Sequence, residues 1–159
     1  MAEGTNLENR EARETLNQLE DYLARGYLLH GSKSKVEILE PRQARDEDPS
    51  RKVLNLNGVY AADDIRISVL MALFDKKDPT REDTSFFYHL WDKGEMKAGG
   101  VNATFTPGLI YVLPSEKFQK VQDNGDEDMV AFEPVVPVDI ISVTPEILAL
   151  IPGITYDMK

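Results

Sequence analysis

From Tyr27 onward, proline and glycine cut the chain into apolar runs too short for anything but strands and brief helices, and this punctuation limits the fold more than any other feature. Tyr27-Leu28-Leu29 leads into His30-Gly31-Ser32 as a strand that leaves the core in polar residues. Val36 to Leu39, ahead of Pro41, reads as a short strand or extended segment. Val53 to Ala62 reads as a strand, a tight turn at its Asn-Gly pair and a strand end. Ser85 to Trp91 has the aromatic density of a strand, and Gly94 to Gly100 reads as loop. Val101 to Thr106 and Leu109 to Leu113 are strands on either side of a Pro107-Gly108 turn. Met129 to Phe132 and Val135 to Val143 are strands joined through Glu133-Pro134, with Pro137 marking an edge or a bulge.

Helical patterns are fewer. Thr5 with Glu8 forms a capping box ahead of Leu16, Leu19, Tyr22 and Leu23, an apolar stripe on a charged helix that Gly26 ends. Behind the caps Asp63 and Asp64, Ile65 to Phe74 places apolar residues four apart and reads as a buried helix rather than a strand. A brief helix follows Pro114, and another starts at Thr144-Pro145-Glu146 and stops at Pro152-Gly153. The class is α+β. With 159 residues, 42% of them apolar, the chain has enough material for one core. Residues 1–26 form a helical extension and 27–159 the domain.

Charge and composition remove several functions. A net charge of −10 argues against a general nucleic-acid or anionic-membrane surface. Without cysteine there is no disulfide, thiolate cluster or cysteine nucleophile. Two histidines without metal-ligand spacing give no zinc site, and Asp126-Glu127-Asp128 lacks the alternation of a calcium loop, so Gln122 to Asp128 reads as a solvated hairpin turn. No run reaches the roughly 18 apolar residues that span a bilayer, and the first residues lack a basic start with an apolar run. The expected compartment is the cytoplasm. Gln43 to Lys52 is a charged loop, and at its start Arg42 and Arg45 have the planar fork that suits phosphate oxygens.

Leu29-His30-Gly31-Ser32, followed about thirty positions on by Gly58-Val59-Tyr60-Ala61-Ala62-Asp63, resembles the first two signatures of ADP-ribosyltransferases of the diphtheria-toxin and poly(ADP-ribose) polymerase type. The element order matches from about Tyr27 to Val143, and residue identity is confined to those two stretches. The resemblance implies a split β-sandwich of two small antiparallel sheets around an NAD cleft, with NAD as substrate. It also implies transfer of ADP-ribose to an acceptor, or hydrolysis of NAD. Protein, nucleic acid and small molecule all stay open as that acceptor.

In such a site the carboxamide of nicotinamide needs paired backbone partners, which Gly31 can offer without obstruction, and its ring needs an aromatic face, which Tyr60 can supply. By the resemblance His30 would bond the adenosine-side ribose and Ser32 the carboxamide, with Arg42 beside phosphate. The third signature is a glutamate at the start of a late strand, where a carboxylate stabilises the positive ribose formed as the glycosidic bond breaks. The corresponding residue here is Asp128, one methylene shorter, with Glu127 beside it and Glu133 reachable by a shift of the strand. In the wider family, replacing that glutamate accompanies transfer of a single ADP-ribose or none. The resemblance therefore implies mono-ADP-ribosylation, or a degenerate fold acting as an NAD-binding or protein-interaction module.

Overall fold

The computed structural model describes residues 3–43, 57–90, 94–123 and 126–159, with backbone alone at 3–8, 42–43, 57, 123 and 126–128. A long helix, α1 (Glu3–Ala24), precedes β1 (Leu28–Ser32), β2 (Arg42–Gln43) and β3 (Asn57–Ala61). Then come α2 (Ile65–Leu73), β4 (Phe74–Lys76), β5 (Ser85–Leu90), β6 (Met96–Val101), β7 (Ala103–Phe105) and β8 (Gly108–Leu113). The last strands are β9 (Phe118–Asp123), β10 (Asp126–Ala131), β11 (Asp139–Val143) and β12 (Ile154–Met158). Short 3-10 segments occupy Ser115–Lys117 and Pro145–Leu150.

The fold is α+β, with small and mostly antiparallel sheets. β8 lies between β1 and β11, β3 and β10 lie between β2 and β9, and β4 pairs with β7. In the remaining sheet β6 lies between β5 and β12, and its pairing with β12 is parallel. A bridge from Leu29 to Ala62 ties the first sheet to the end of β3. No helix among the described residues is long and apolar enough to cross a membrane.

Alternation along the β1-β8-β11 sheet divides the core in two. Leu29, Ile110, Val112, Ile141 and Val143 face one cluster with Val69, Ala72 and Leu73 of α2. Leu28, Tyr111 and Leu113 face the other with Val59, Ala61 and Ala131. The stripe on α1 behaves as its spacing predicts: Leu16 and Leu19 are buried in the first cluster with Ala12, and Tyr22 and Leu23 pack at its border. Gly26, at φ 93°, turns the chain out of the helix. At α2 the Asp64 carboxylate accepts from the Arg66 N–H at 2.9 Å, which caps the helix, and it also pairs with the Arg66 guanidinium at 2.7 Å.

Several expectations need correction. Thr5 lies inside α1, not at its cap. Asn57-Gly58 is strand rather than turn, because β3 runs so close to β10 that a Cβ on Gly58 would sit 2.4 Å from Val130 Cγ1. The glycine-rich stretch read as loop is β6, where Gly99 and Gly100 let Phe87 and the Ser85 carbonyl lie close. After Pro114 only one 3-10 turn forms before β9, and the acidic residues 126–128 stand in a strand rather than a turn. Val135 makes a single bridge to Leu39, so the strand there begins only at Asp139. Apart from Gln43, the proposed 43–52 loop with Arg45 lies outside the described residues, as do positions 53–56 and Trp91.

Candidate functional site

β1 is an edge strand, and its open side faces β3 and α2. Leu29 donates to the Ala62 carbonyl at 2.9 Å and accepts from the Ala62 N–H at 2.8 Å across that edge. Main-chain groups alternate sides along a strand, so Gly31 turns its own N–H and C=O the same way. No described backbone group pairs with them there. What does meet Gly31 is α2: a Cβ would lie 2.2 Å from the Ser68 carbonyl oxygen and 2.6 Å from the Ala72 nitrogen. The glycine is thus fixed by helix packing, and the same closeness leaves a recess of about 200 Å3 beside it. Tyr60, Ala61 and Ala62 form one wall, and Ser68, Met71 and Tyr88 another.

His30 is held by its backbone neighbour across the cleft. Its Nδ1 lies 2.6 Å from the Tyr60 carbonyl oxygen, which can only accept, so Nδ1 carries the proton. Burial pushes the imidazole below its ordinary pKa against the smaller pull of that carbonyl. In the neutral ring Nε2 is then an acceptor. Tyr111 packs edge-on against the ring at 6.1 Å, and its buried hydroxyl donates to the Ser34 carbonyl at 2.6 Å and accepts the Val36 N–H at 2.8 Å. His30 and Tyr60 also line a second recess of about 240 Å3, with Ser32, Ser34, Glu40 and Gly58. The two recesses adjoin through those two residues, an arrangement suited to a ligand with two parts.

The lowered pKa has a signed consequence. Between the folded value and the ordinary value near 6.5, the unfolded chain binds a proton that folded His30 refuses, so this contribution falls as the pH drops below about 6.5. Thermal melts between pH 5 and 8 should show wild type losing more stability on acidification than His30→Gln. Equal pH slopes would contradict a buried, neutral imidazole.

Lys33 fixes the exit of β1. Its ammonium donates to the carbonyls of Leu73, Thr106 and Pro107 at 3.1, 2.8 and 3.1 Å and to the Thr106 hydroxyl at 2.6 Å. A cation is thereby placed on the C-terminal end of α2, where the helix dipole favours it. Burial lowers the Lys33 pKa while Asp75 opposes that shift.

A scan of protein-family models and searches of curated proteins and of solved structures return no match for this chain.

The expected residues therefore rest on geometry. His30, Gly31 and Tyr60 come together around one cleft. Ser32 lies on the second recess only, its hydroxyl closing a small turn by accepting the Ser34 N–H at 3.1 Å. Arg42 is brought beside the cleft by backbone pairing with Gly58, and its side chain lies outside the described residues. β10 pairs Met129 with Ala61 and Val130 with Tyr60, so position 128 is one residue beyond the last pair, whose Ala61 lines the recess. Strand alternation places position 128 on the face that carries Tyr60 and position 127 on the other. The Glu127 and Asp128 side chains lie outside the described residues. Glu133 stands beyond the opposite end of β10, exposed and paired with Lys117 at 3.5 Å.

Ser68, Met71, Tyr88 and Glu40 were missed in the sequence. Ser68 carried a signal: with Arg66 it is one of two polar residues in an otherwise apolar helix, and it is buried. Met71 and Tyr88 looked like ordinary core residues, and only the meeting of α2 with β5 places them here.

Proposed function

We propose that the chain is an NAD-dependent mono-ADP-ribosyltransferase-like domain, with its sheets acting as a split sandwich around an NAD cleft. The observation that carries this reading is the N–H and C=O of Gly31, turned together to an open edge beside Tyr60. A carboxamide offers an oxygen that accepts and an N–H that donates, so one residue with both groups on one side can hold it. Tyr60 supplies an aromatic face for the pyridine ring, and the second recess, with Ser32 and Ser34, takes hydroxyl-rich parts of the ligand. Ser68 is a second candidate for the carboxamide, standing where Ser32 was expected. With Asp128 one residue beyond the Met129–Ala61 pair, its carboxylate would answer the positive charge that develops on ribose. A cytoplasmic setting supplies NAD.

A second reading shares the same binding wall, with Glu40 on the other recess. A degenerate domain that binds NAD without turnover would look the same there.

Calorimetric titration separates binding from turnover. Wild type should bind NAD saturably, and Tyr60→Ala should bind about tenfold more weakly or worse, as loss of a stacking face and its buried area implies. No NAD binding at millimolar concentration by wild type would end both readings.

A further inference from the structure

β5 is the last strand of its sheet. β6 pairs along one side, from Ser85 opposite Val101 to Leu90 opposite Met96, and no described strand pairs along the other. The run Ser85-Phe86-Phe87-Tyr88-His89-Leu90 contains no lysine, acidic residue or proline, the residues that usually blunt an exposed sheet edge. Phe87 and Leu90 are 39% and 53% exposed. A groove of about 770 Å3 is lined by all five residues from Ser85 to His89. Successive strand residues point to opposite faces, so a cavity that touches five in a row follows the strand's edge. Its other wall is Met71, β4 and Lys33.

β4 is already guarded. It pairs with β7, and the Asp75 carboxylate takes the Lys76 N–H at 2.8 Å. The same carboxylate accepts the Thr106 hydroxyl at 2.9 Å, and Lys33 is spent on carbonyls, which leaves Lys76 without a carboxylate partner among the described residues. Repulsion between two chains of net charge −10 disfavours a second copy as occupant, and the local cation favours a short acidic segment.

We infer that β5 takes an extended polypeptide segment as an added strand, with an acidic side chain of that segment beside Lys76. Main-chain pairing supplies the affinity, and the exposed aromatic side chains of β5 flank the guest. Met71 and Tyr88 line both this groove and the Gly31 recess, so the guest strand runs to the mouth of the candidate cleft. Its role as the acceptor of ADP-ribose rests on the NAD reading. The docking itself does not.

The test uses the full chain and a fluorescein-labelled octapeptide alternating valine with threonine and glutamate, followed by fluorescence polarisation. Binding should saturate, and N-methylation of every second amide, which removes donors and keeps side chains, should weaken it by about tenfold or more. Lys76→Glu should weaken the unmodified peptide about threefold. Tyr60→Ala, which impairs NAD binding, should leave the peptide untouched. Peptide binding without NAD binding would keep the docking and remove the acceptor role. Equal binding of the methylated peptide, no binding, or a protein dimer that the peptide dissociates would overturn the inference.

Discussion

Gly108→Ala and Gly31→Ala are each expected to destabilise the chain by about 3 kcal/mol or more, the severe end of overpacking, because the atoms in the way are backbone. A Cβ on Gly108 would lie 1.8 Å from the Ala72 carbonyl oxygen, and one on Gly31 would lie 2.2 Å from that of Ser68. Both positions press the adjacent strands β1 and β8 onto α2, and neither strand can retreat without breaking its pairing. The loss should lower the melting temperature by roughly 6 to 12 °C for a domain of this size. Gly26→Ala is the control. Its φ of 93° carries a conformational penalty, but a Cβ there meets nothing within 4 Å, so about 1 kcal/mol is expected. Circular-dichroism melts of the three variants decide the matter. If Gly108→Ala melts no lower than Gly26→Ala, α2 does not sit as closely on the sheet as described.

The second large effect concerns chemistry. Asp128→Ala should cut nicotinamide release from NAD by about a hundredfold to a thousandfold, the usual cost of removing a group aimed at developing charge. NAD affinity should change only a few-fold, because the interaction strengthens in the transition state. Glu127→Ala, at a position on the other face of β10, should stay within a few-fold of wild type in both quantities. Unchanged turnover in Asp128→Ala would remove this carboxylate from the mechanism. An inactive wild type that still binds NAD would select the degenerate reading.

The fold was legible where local chemistry and tertiary packing agree. α2 could be read because Asp64 caps it and its apolar residues recur four apart, and α1 because Leu16 and Leu19 share a stripe. β6 could not be read, since Gly99 and Gly100 look like loop and are strand only because Phe87 and β12 lie against them. Asn57-Gly58 failed for the same reason. A glycine that permits a turn equally permits close approach, and only Val130 across the sheet distinguishes the two.

At the candidate site, the strand end at His30 and the aromatic Tyr60 were visible as residues. The edge that gives Gly31 its direction was not, because it depends on the Leu29 to Ala62 bridge. Ser32 was expected at the carboxamide through the resemblance of His30-Gly31-Ser32 alone, and nothing local to α2 marks Ser68 as its alternative. Alternation along β1 turns Ser32 toward Ser34, while a helix brings Ser68 to Gly31 from far along the chain.

The most direct measurement compares nicotinamide with nicotinic acid as competitors for NAD on the wild-type chain. A carboxylate has no N–H for the Gly31 carbonyl and would place negative charge against it, so nicotinamide should displace NAD and nicotinic acid should be roughly a hundredfold weaker, the cost of leaving a buried polar group unpaired beside a charge. Equal competition by the two, or displacement by neither, would contradict a nicotinamide site at Gly31.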